Sequence, residues 1–270
     1  MVDLNVDAAL FLQNMVGIDA YPPVLALMPN VFDANDLEQV RAIIAQDLRT
    51  AGVIENDRVH PAIEHWLQCL YRPDVELAAR IVDLGPGEVP SAVLRMSLIR
   101  HEDTHVLAVR CDDHVIIQSV FHSGRQLNTL TAALIAGMGS GPAPQFEPIT
   151  ATLEQFTAVP SDQAERRRAL LELGAHPHTA GVLSRVLDEV VRRAEVVMVE
   201  HHDGGSVQTE VCLSVLDTPQ GRIVVTPRVA MDGEVWSTYA PGDDAAVQAG
   251  IAALVELLPG RSWFDTTRES

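Results

Sequence analysis

The amino-acid sequence predicts an α+β fold, in which a quasi-two-fold central antiparallel β-sheet is flanked by two helical bundles. The first observation behind this prediction is an internal repeat, because residues 95–110 align without a gap on residues 212–227. The second is that each half reads as helices, then four consecutive strands, then one helix. Strands that follow one another without intervening helices are typical of α+β folds.

The first half, residues 1–140, begins with helical periodicity. Its apolar spacing predicts helices over residues 7–16, 35–50 and 61–70, and a short apolar run predicts a strand over 24–28. Alternating residues then predict strands over 75–84, 93–100, 106–111 and 115–121, and a helix over 125–138 closes this half. Because the links between these strands are short and polar, they should pair as an antiparallel meander.

The second half, residues 145–270, repeats this order after a Gly- and Pro-rich breaker over 139–144. Helices are predicted over 161–173 and 179–193, strands over 195–202, 207–216, 222–229 and 234–239, and a final helix over 243–258. We therefore predict one domain that spans residues 1–270 and consists of two similar halves.

The composition excludes several classes of function. The formal net charge is −18, which repels nucleic-acid phosphates and anionic membrane surfaces. No apolar stretch approaches the roughly 20 residues of a membrane span. The N-terminus also lacks the basic and apolar regions of a signal peptide. We therefore expect a cytoplasmic protein that binds no nucleic acid and does not enter a membrane.

The sequence lacks patterns for catalysis or metal binding. His101 and His105 have the four-residue spacing of helical ligands, but they fall in a predicted hairpin turn with no Cys or carboxylate at zinc-site spacing. The Gly-x-Ser-x-Gly motif of a nucleophile elbow is absent. A P-loop is excluded because the chain has no lysine. We expect no enzymatic activity, no cofactor and no metal.

Two surfaces are candidates for binding a protein partner. Arg166 and Arg167 precede Leu170 on a predicted helix, where they form either a solvated face or a docking surface for acidic side chains. On the sheet, alternation predicts a polar face that carries Glu210, Thr226 and Arg228. Such a face suits protein recognition, although ordinary solvent-facing strand residues would give the same pattern.

Several segments resemble the EspG family. In the first half these are Tyr-Pro-Pro-Val-Leu-Ala at 21–26 and Pro-Ala-Ile-Glu-His-Trp at 61–66. The likeness is stronger in the second half, in Thr-Glu-Val-Cys-Leu-Ser-Val-Leu-Asp-Thr at 209–218 and Asp-Gly-Glu-Val-Trp-Ser-Thr-Tyr-Ala-Pro-Gly at 232–242. This second-half pattern is similar to the subgroup that serves the ESX system linked to iron acquisition.

The resemblance implies a cytosolic chaperone of type VII (ESX) secretion that is not an enzyme. Such proteins bind the tip of the PPE protein in a PE–PPE heterodimer, which implies a 1:1:1 complex. The contacts implied for this chain are the sheet residues Glu210, Thr226 and Arg228, the loop residues Gly87, Glu88 and Val89, and the helical residues Arg166, Arg167 and Leu170. The loop over 85–90 is short, which limits its share of the contact.

Glu210 and Arg228 align with Val93 and Cys111 of the first half, so these charges occur in one copy only. The sequence therefore favours a binding site on the second half. Reversing either charge should weaken partner binding and leave the melting temperature nearly unchanged. Two alternatives stay open: a small-molecule-binding or hydrolytic α+β domain, and a homo-oligomer that uses the open sheet face. A weak homodimer of the free protein is a further expectation.

Overall fold

A computed structural model describes residues 1–30 and 34–268 of the chain, without the side chains of residues 34–37 and 88. In the first half, the helices are α1 (Val6–Val16), α2 (Ala34–Thr50), α3 (Pro61–Tyr71) and α4 (Asn128–Met138). The strands are β1 (Val2–Asn5), β2 (Ile54–Glu55), β3 (Arg58–Val59), β4 (Val75–Leu84), β5 (Pro90–His101), β6 (Thr104–Cys111) and β7 (His114–Ser119). Short 3-10 helices lie at Pro23–Leu25 and Pro86–Glu88.

The second half follows the same plan. Its strands are β8 (Ile149–Thr152), β9 (Arg192–His202), β10 (Gly205–Gln208), β11 (Leu213–Thr218), β12 (Gly221–Val229) and β13 (Val235–Pro241). Its helices are α5 (Leu153–Thr157), α6 (Gln163–Glu172), α7 (Pro177–Val186) and α8 (Asp244–Val255).

An 11-stranded sheet forms the centre of the molecule, in the order β1-β7-β6-β5-β4-β9-β11-β12-β13-β8. Strand β10 also belongs to this sheet and pairs with β9, but it stands outside that order. Strands β2 and β3 form a separate hairpin. All of these pairings are antiparallel, and the two halves meet where β4 pairs with β9. Reading outward from that seam, both halves present the same succession of strands, which confirms the predicted quasi-two-fold sheet.

The strand register repeats as well. Leu98 of β5 lies opposite Leu107 of β6, and Val215 of β11 lies opposite Val224 of β12. Both residues of the second pair lie 117 positions after their counterparts (98 to 215 and 107 to 224). The same offset relates the β4–β5 pairing to the β9–β11 pairing. The gap-free alignment of the two sequence segments therefore corresponds to an equivalent hydrogen-bonded register.

The two faces of the sheet carry different helices. On one face, which we call the α4/α8 face, alternate residues such as Leu77, Val196 and Val224 share one core with α4 and α8. On the other face, α1 to α3 cover the outer strands of the first half. Helices α6 and α7 cover the outer strands of the second half on that same side. The middle of this second face lies between the two helical bundles, and we call it the groove face.

Three sequence-based element predictions are wrong, each for a local reason. Residues 24–28 do not form a strand, because Pro22 and Pro23 fix φ and remove N–H donors, and a 3-10 helix forms there instead. The helix predicted over 179–193 ends at Val186, and Arg192 already belongs to β9, where it lies opposite Asp83. The strand predicted over 207–216 is interrupted between β10 and β11.

A buried ion pair attaches the C-terminal segment to the sheet. The Arg100 guanidinium contacts the Asp74 carboxylate at 3.1 Å, and both side chains are about 95 % buried. Arg100 also donates to the carbonyl oxygens of Trp263 and Thr266. The Asp74 carboxylate accepts a further bond from the Arg268 backbone N–H at 3.0 Å. Strands β4 and β5 therefore hold residues 263–268 in place through one pair of charges.

His105 should make the stability of the fold depend on pH. It is 5 % exposed, and its Nε2 atom accepts a 3.1 Å hydrogen bond from the Trp263 indole N–H. Burial, and then the neighbouring His122, lower the pKa of His105 from an ordinary 6.5 to about 4. The unfolded chain therefore binds a proton at a higher pH than the folded chain does. The contribution of His105 to the free energy of unfolding is full above pH 6.5 and is lost as pH falls towards 4.

Urea unfolding between pH 4 and pH 7 tests this expectation. In His105→Phe, which cannot take up a proton, the free energy of unfolding should fall less steeply below pH 6.5 than in the wild type. His114→Gln changes an exposed imidazole and should keep the wild-type dependence. Equal slopes for His105→Phe and the wild type would contradict the assignment.

Candidate functional site

A groove of about 490 Å³ crosses the middle of the groove face. Its floor comes from β4, β5 and β9, its rim from β10 and the residues after it, and one side from Pro23 and Val24. The groove therefore lies at the junction of the two quasi-symmetric halves, between the helical bundles. These positions are open because neither bundle extends over the β4–β9 seam.

The central part of the floor is apolar and narrow. Ala78 of β4 lies directly opposite Val197 of β9, and both line the groove. Val199 follows on the same face of β9, because side chains alternate along a strand. Strands β4 and β9 thus supply a short apolar strip that is bounded by charged residues on both sides.

A buried polar cluster lies at one end of this strip. The Glu76 carboxylate is 2 % exposed and accepts a 2.7 Å hydrogen bond from the Ser97 hydroxyl. The His201 Nε2 atom lies 3.4 Å from the other Glu76 oxygen. These three residue types occur in hydrolases, but there the serine hydroxyl contacts the imidazole. Here the Ser97 hydroxyl contacts the carboxylate and is fully buried, so the cluster lacks the geometry of a Ser-His-acid triad.

Three arginines form a row at the other end of the strip. Arg80 of β4 lies opposite Arg95 of β5, and Arg95 lies opposite Arg110 of β6. Arg110 donates to the Leu25 and Ala26 carbonyl oxygens, and Arg95 makes one weak 3.4 Å bond to the Val24 carbonyl. Arg80 makes no hydrogen bond or ion pair with any described residue. The groove therefore presents one arginine that is not paired with any described residue, in a chain whose net charge is −18.

Comparison with known proteins identifies the family. The EspG family model matches residues 5–253, which is most of the chain. The chain belongs to the EspG family. It is 31% identical to the ESX-3 secretion-associated protein EspG3 of Mycolicibacterium smegmatis, over 97% of this chain and 89% of that protein. It is 29% identical to the ESX-1 secretion-associated protein EspG1 of Mycobacterium marinum, over 98% and 91%.

A solved structure confirms the predicted fold class. The type VII secretion system chaperone EspG5 of Mycobacterium tuberculosis, solved in complex with a PE25-PPE41 dimer, superposes with a TM-score of 0.81. The superposition covers 98% of this chain and 99% of EspG5, at 20% sequence identity. The resemblance to the EspG family is therefore confirmed, and the identity with an ESX-3 protein agrees with the predicted likeness to the iron-linked subgroup.

The sheet residues predicted for this EspG-family chain do not share one face. Ser214 lies opposite Val225, so Val225 is on the groove face and its neighbour Thr226 points to the α4/α8 face. Arg228 has the same orientation as Thr226. Glu210 is exposed and lies between β10 and β11, where it is flanked by the groove-lining residues Gln208 and Cys212. Glu210 thus lies in the chain between two groove-lining residues, whereas Thr226 and Arg228 lie on the opposite side of the sheet.

The predicted loop connects two strands of the groove floor. Gly87 has a left-handed conformation with φ of 73°, which glycine adopts without strain. Val89 exposes 62 % of its surface, while the Glu88 side chain lies outside the described residues. Val89 therefore presents an apolar side chain to solvent at the end of the β4–β5 hairpin.

Two of the three predicted helical residues stabilise the fold. Arg166 is 7 % exposed and pairs with Asp188 at 2.6 Å, and it also donates to the backbone carbonyls of Pro160, Ser161 and Ser184. Leu170 is 2 % exposed and belongs to the core beneath α6 and α7. The prediction that these two side chains face a partner is corrected, because they pack inside the helical bundle. Arg167 is exposed.

Sequence reasoning missed the arginine row. The signal was incomplete, because the short connection between 84 and 90 predicts a hairpin, but a register shift between Asp83 and Leu84 decides that Arg80 lies opposite Arg95. Among the described residues, no three His, Cys, Asp or Glu side chains are grouped as metal ligands. Within the same residues, no helix is both long enough and apolar enough to cross a membrane.

Proposed function

We propose that this chain is a cytosolic, non-enzymatic chaperone of type VII (ESX) secretion. It would bind the tip of a PPE protein within a PE–PPE heterodimer, keep the pair soluble and direct it to its secretion system. The observation that carries the proposal is the match to EspG5 along nearly the whole chain, since EspG5 was solved in complex with a PE25-PPE41 dimer. Family membership over residues 5–253 supports it.

The central groove is the proposed docking surface. Protein interfaces combine an apolar centre with a polar rim, and the strip formed by Ala78 and Val197 beside charged neighbours has this arrangement. A partner that exposes an apolar tip is an aggregation hazard until such a surface covers it. The net charge of −18 keeps a complex of this kind in solution.

Additional contacts are proposed at the edges of the groove. Glu210 stands between two groove-lining residues, and Gly87 and Val89 lie in the hairpin loop that leads into the floor. Arg167 is exposed on α6 and is proposed as a contact on the second helical bundle. Thr226 and Arg228 are left out of the proposed contact, because they point to the other face of the sheet.

We also propose that residues 1–270 fold as one domain of two halves, 1–140 and 145–270. Supporting observations are that β4 and β9 join the halves within one sheet and that α4 and α8 share one core. Because the β4–β9 pairing runs along the middle of the sheet, separating the halves would expose two long strand edges.

Co-purification tests the proposed function. The tagged chain, co-expressed with each PE–PPE pair of its own genome, should retain at least one pair as a 1:1:1 complex measured by light scattering. The PE25-PPE41 dimer serves as a non-cognate comparison. If no pair from the genome binds at micromolar concentration, the proposed function is wrong. Light scattering of the free chain in the same series reports whether it forms a homodimer.

A further inference from the structure

We propose that the arginine row, through Arg80 at its β4 end, binds a carboxylate carried by the apolar tip of the PPE partner. This inference rests on the proposed function and adds the chemistry of the segment that the groove recognises. The partner segment would be mainly apolar where it covers Ala78 and Val197, and it would carry an Asp or Glu side chain that reaches Arg80.

Arg80 has no partner of its own among the described residues. Its side chain is exposed, and it contacts no described residue through a hydrogen bond or ion pair. Glu195 lies directly opposite Arg80 on β9, but the Glu195 carboxylate is 3.3 Å from the Arg193 guanidinium. The nearest acidic side chain across the seam is therefore already paired with another arginine.

The arginine row is electrostatically unfavourable in the free protein. Like charges directly opposite each other on neighbouring strands destabilise a sheet. Burial, and then the charges of Arg80 and Arg110, lower the pKa of Arg95. A carboxylate bound between Arg80 and Arg95 would relieve this repulsion, and arginine binds carboxylates with two parallel hydrogen bonds.

The arginine row selects the orientation of the partner. With the offset of 117 positions, the second-half counterparts of Arg80, Arg95 and Arg110 are Val197, Cys212 and Pro227 (80 to 197, 95 to 212 and 110 to 227). The backbone of the groove floor is thus quasi-symmetric, but its unpaired arginine lies on the first half, since Arg193 of the second half is paired with Glu195. A partner with one carboxylate beside an apolar surface can contact the arginine row and the apolar strip together in only one of the two quasi-symmetric orientations.

This row reverses the asymmetry that the sequence suggested. Because of Glu210 and Arg228, the sequence favoured a binding site on the second half. The structure shows that Arg228 lies on the other face of the sheet. Within the groove, the uncompensated charge is supplied by β4 and β5 of the first half. The row is also unsuited to nucleic acid, because the surrounding chain carries a net charge of −18.

The experiment measures affinity for the PE–PPE pair that co-purifies with the wild type. Arg80→Glu should weaken binding at least about tenfold, since it places a like charge opposite the partner's carboxylate, and Arg80→Gln should weaken it by a smaller factor. Arg58→Glu is the matched control, because Arg58 is exposed on β3 and makes no ion pair among the described residues. It should leave the affinity within about twofold of the wild type.

Salt dependence provides a second measurement. Raising NaCl from about 50 to 300 mM should weaken wild-type binding more than Arg80→Gln binding, because salt screens charge pairs at an interface rim. The melting temperature of Arg80→Gln should equal or exceed that of the wild type, which separates lost recognition from lost folding. If Arg80→Glu is poorly folded, Arg80→Gln and its salt dependence decide the question.

The outcomes separate the two proposals. If the wild type binds no PE–PPE pair, the proposed function fails and this inference fails with it. If the wild type binds a pair and Arg80→Glu binds as tightly as Arg58→Glu, only this inference is wrong. An unchanged salt dependence in Arg80→Gln would likewise overturn it.

Discussion

Replacing Arg100 by leucine is expected to lower the free energy of unfolding by about 3–5 kcal/mol. The reason is that Arg100 is 3 % exposed and supplies the only cation within ion-pair distance of the buried Asp74 carboxylate among the described residues. Removing one member of a buried pair leaves the other charge desolvated and uncompensated. The same substitution also frees the backbone carbonyls of Trp263 and Thr266.

The effect should extend to the C-terminal segment. Trp263 is 1 % exposed and packs into the core beneath α4 and α8, so residues that lose their attachment through Arg100 also lose apolar burial. Limited proteolysis should therefore cleave Arg100→Leu near residue 260 faster than the wild type. Urea unfolding gives the free energy itself.

Two further variants make this expectation testable. Asp74→Asn with Arg100→Leu removes both charges and should recover part of the loss, because neither partner is left charged and buried. Arg168→Leu changes an exposed arginine on α6 and should alter the free energy of unfolding by no more than about 0.5 kcal/mol. A loss below about 1 kcal/mol in Arg100→Leu would show that the pair does not anchor the segment.

The repeat made the architecture predictable, because strand register follows from sequence when turns are short. The two-residue turn at residues 219 and 220 sets Thr218 opposite Gly221. In the same way, the turn that follows His101 sets His101 opposite Thr104. Once both hairpins have the same register, a quasi-two-fold sheet follows when β4 and β9, the strands next to these hairpins in the sheet, pair with each other. Strands β1 and β8 escaped prediction because each has four residues and is defined by pairing with a distant strand.

The candidate site was harder to predict, because polarity alone does not tell which face a strand residue occupies. Thr226 and Arg228 are polar because the α4/α8 face is covered only near its centre, so its outer part meets solvent. The interruption between β10 and β11 also breaks the alternation that related Glu210 to Ser214. The role of Arg166 could not be predicted from the sequence, because it depends on how α7 packs against α6.

Replacing Val197 by aspartate is expected to weaken binding of a cognate PE–PPE pair about 100-fold. Val197 lies in the middle of the apolar strip, opposite Ala78 and on the seam between the halves. An aspartate there would be covered by the apolar tip of the partner, and it would compete with the partner's carboxylate for Arg80, its diagonal neighbour across the β4–β9 seam. Because Val197 is partly exposed in the free protein, the fold should lose only about 1 kcal/mol of stability.

The opposite face of the sheet supplies the decisive comparison. Arg228→Glu changes the charge of an exposed residue on the α4/α8 face, so its affinity should stay within about threefold of the wild type. Val197→Thr keeps the shape of valine and adds one hydroxyl, and its affinity should fall by less than about tenfold. If Arg228→Glu abolishes binding while Val197→Asp does not, the partner docks on the α4/α8 face. The reverse result would place the partner over the β4–β9 seam, where one apolar strip and one row of arginines meet.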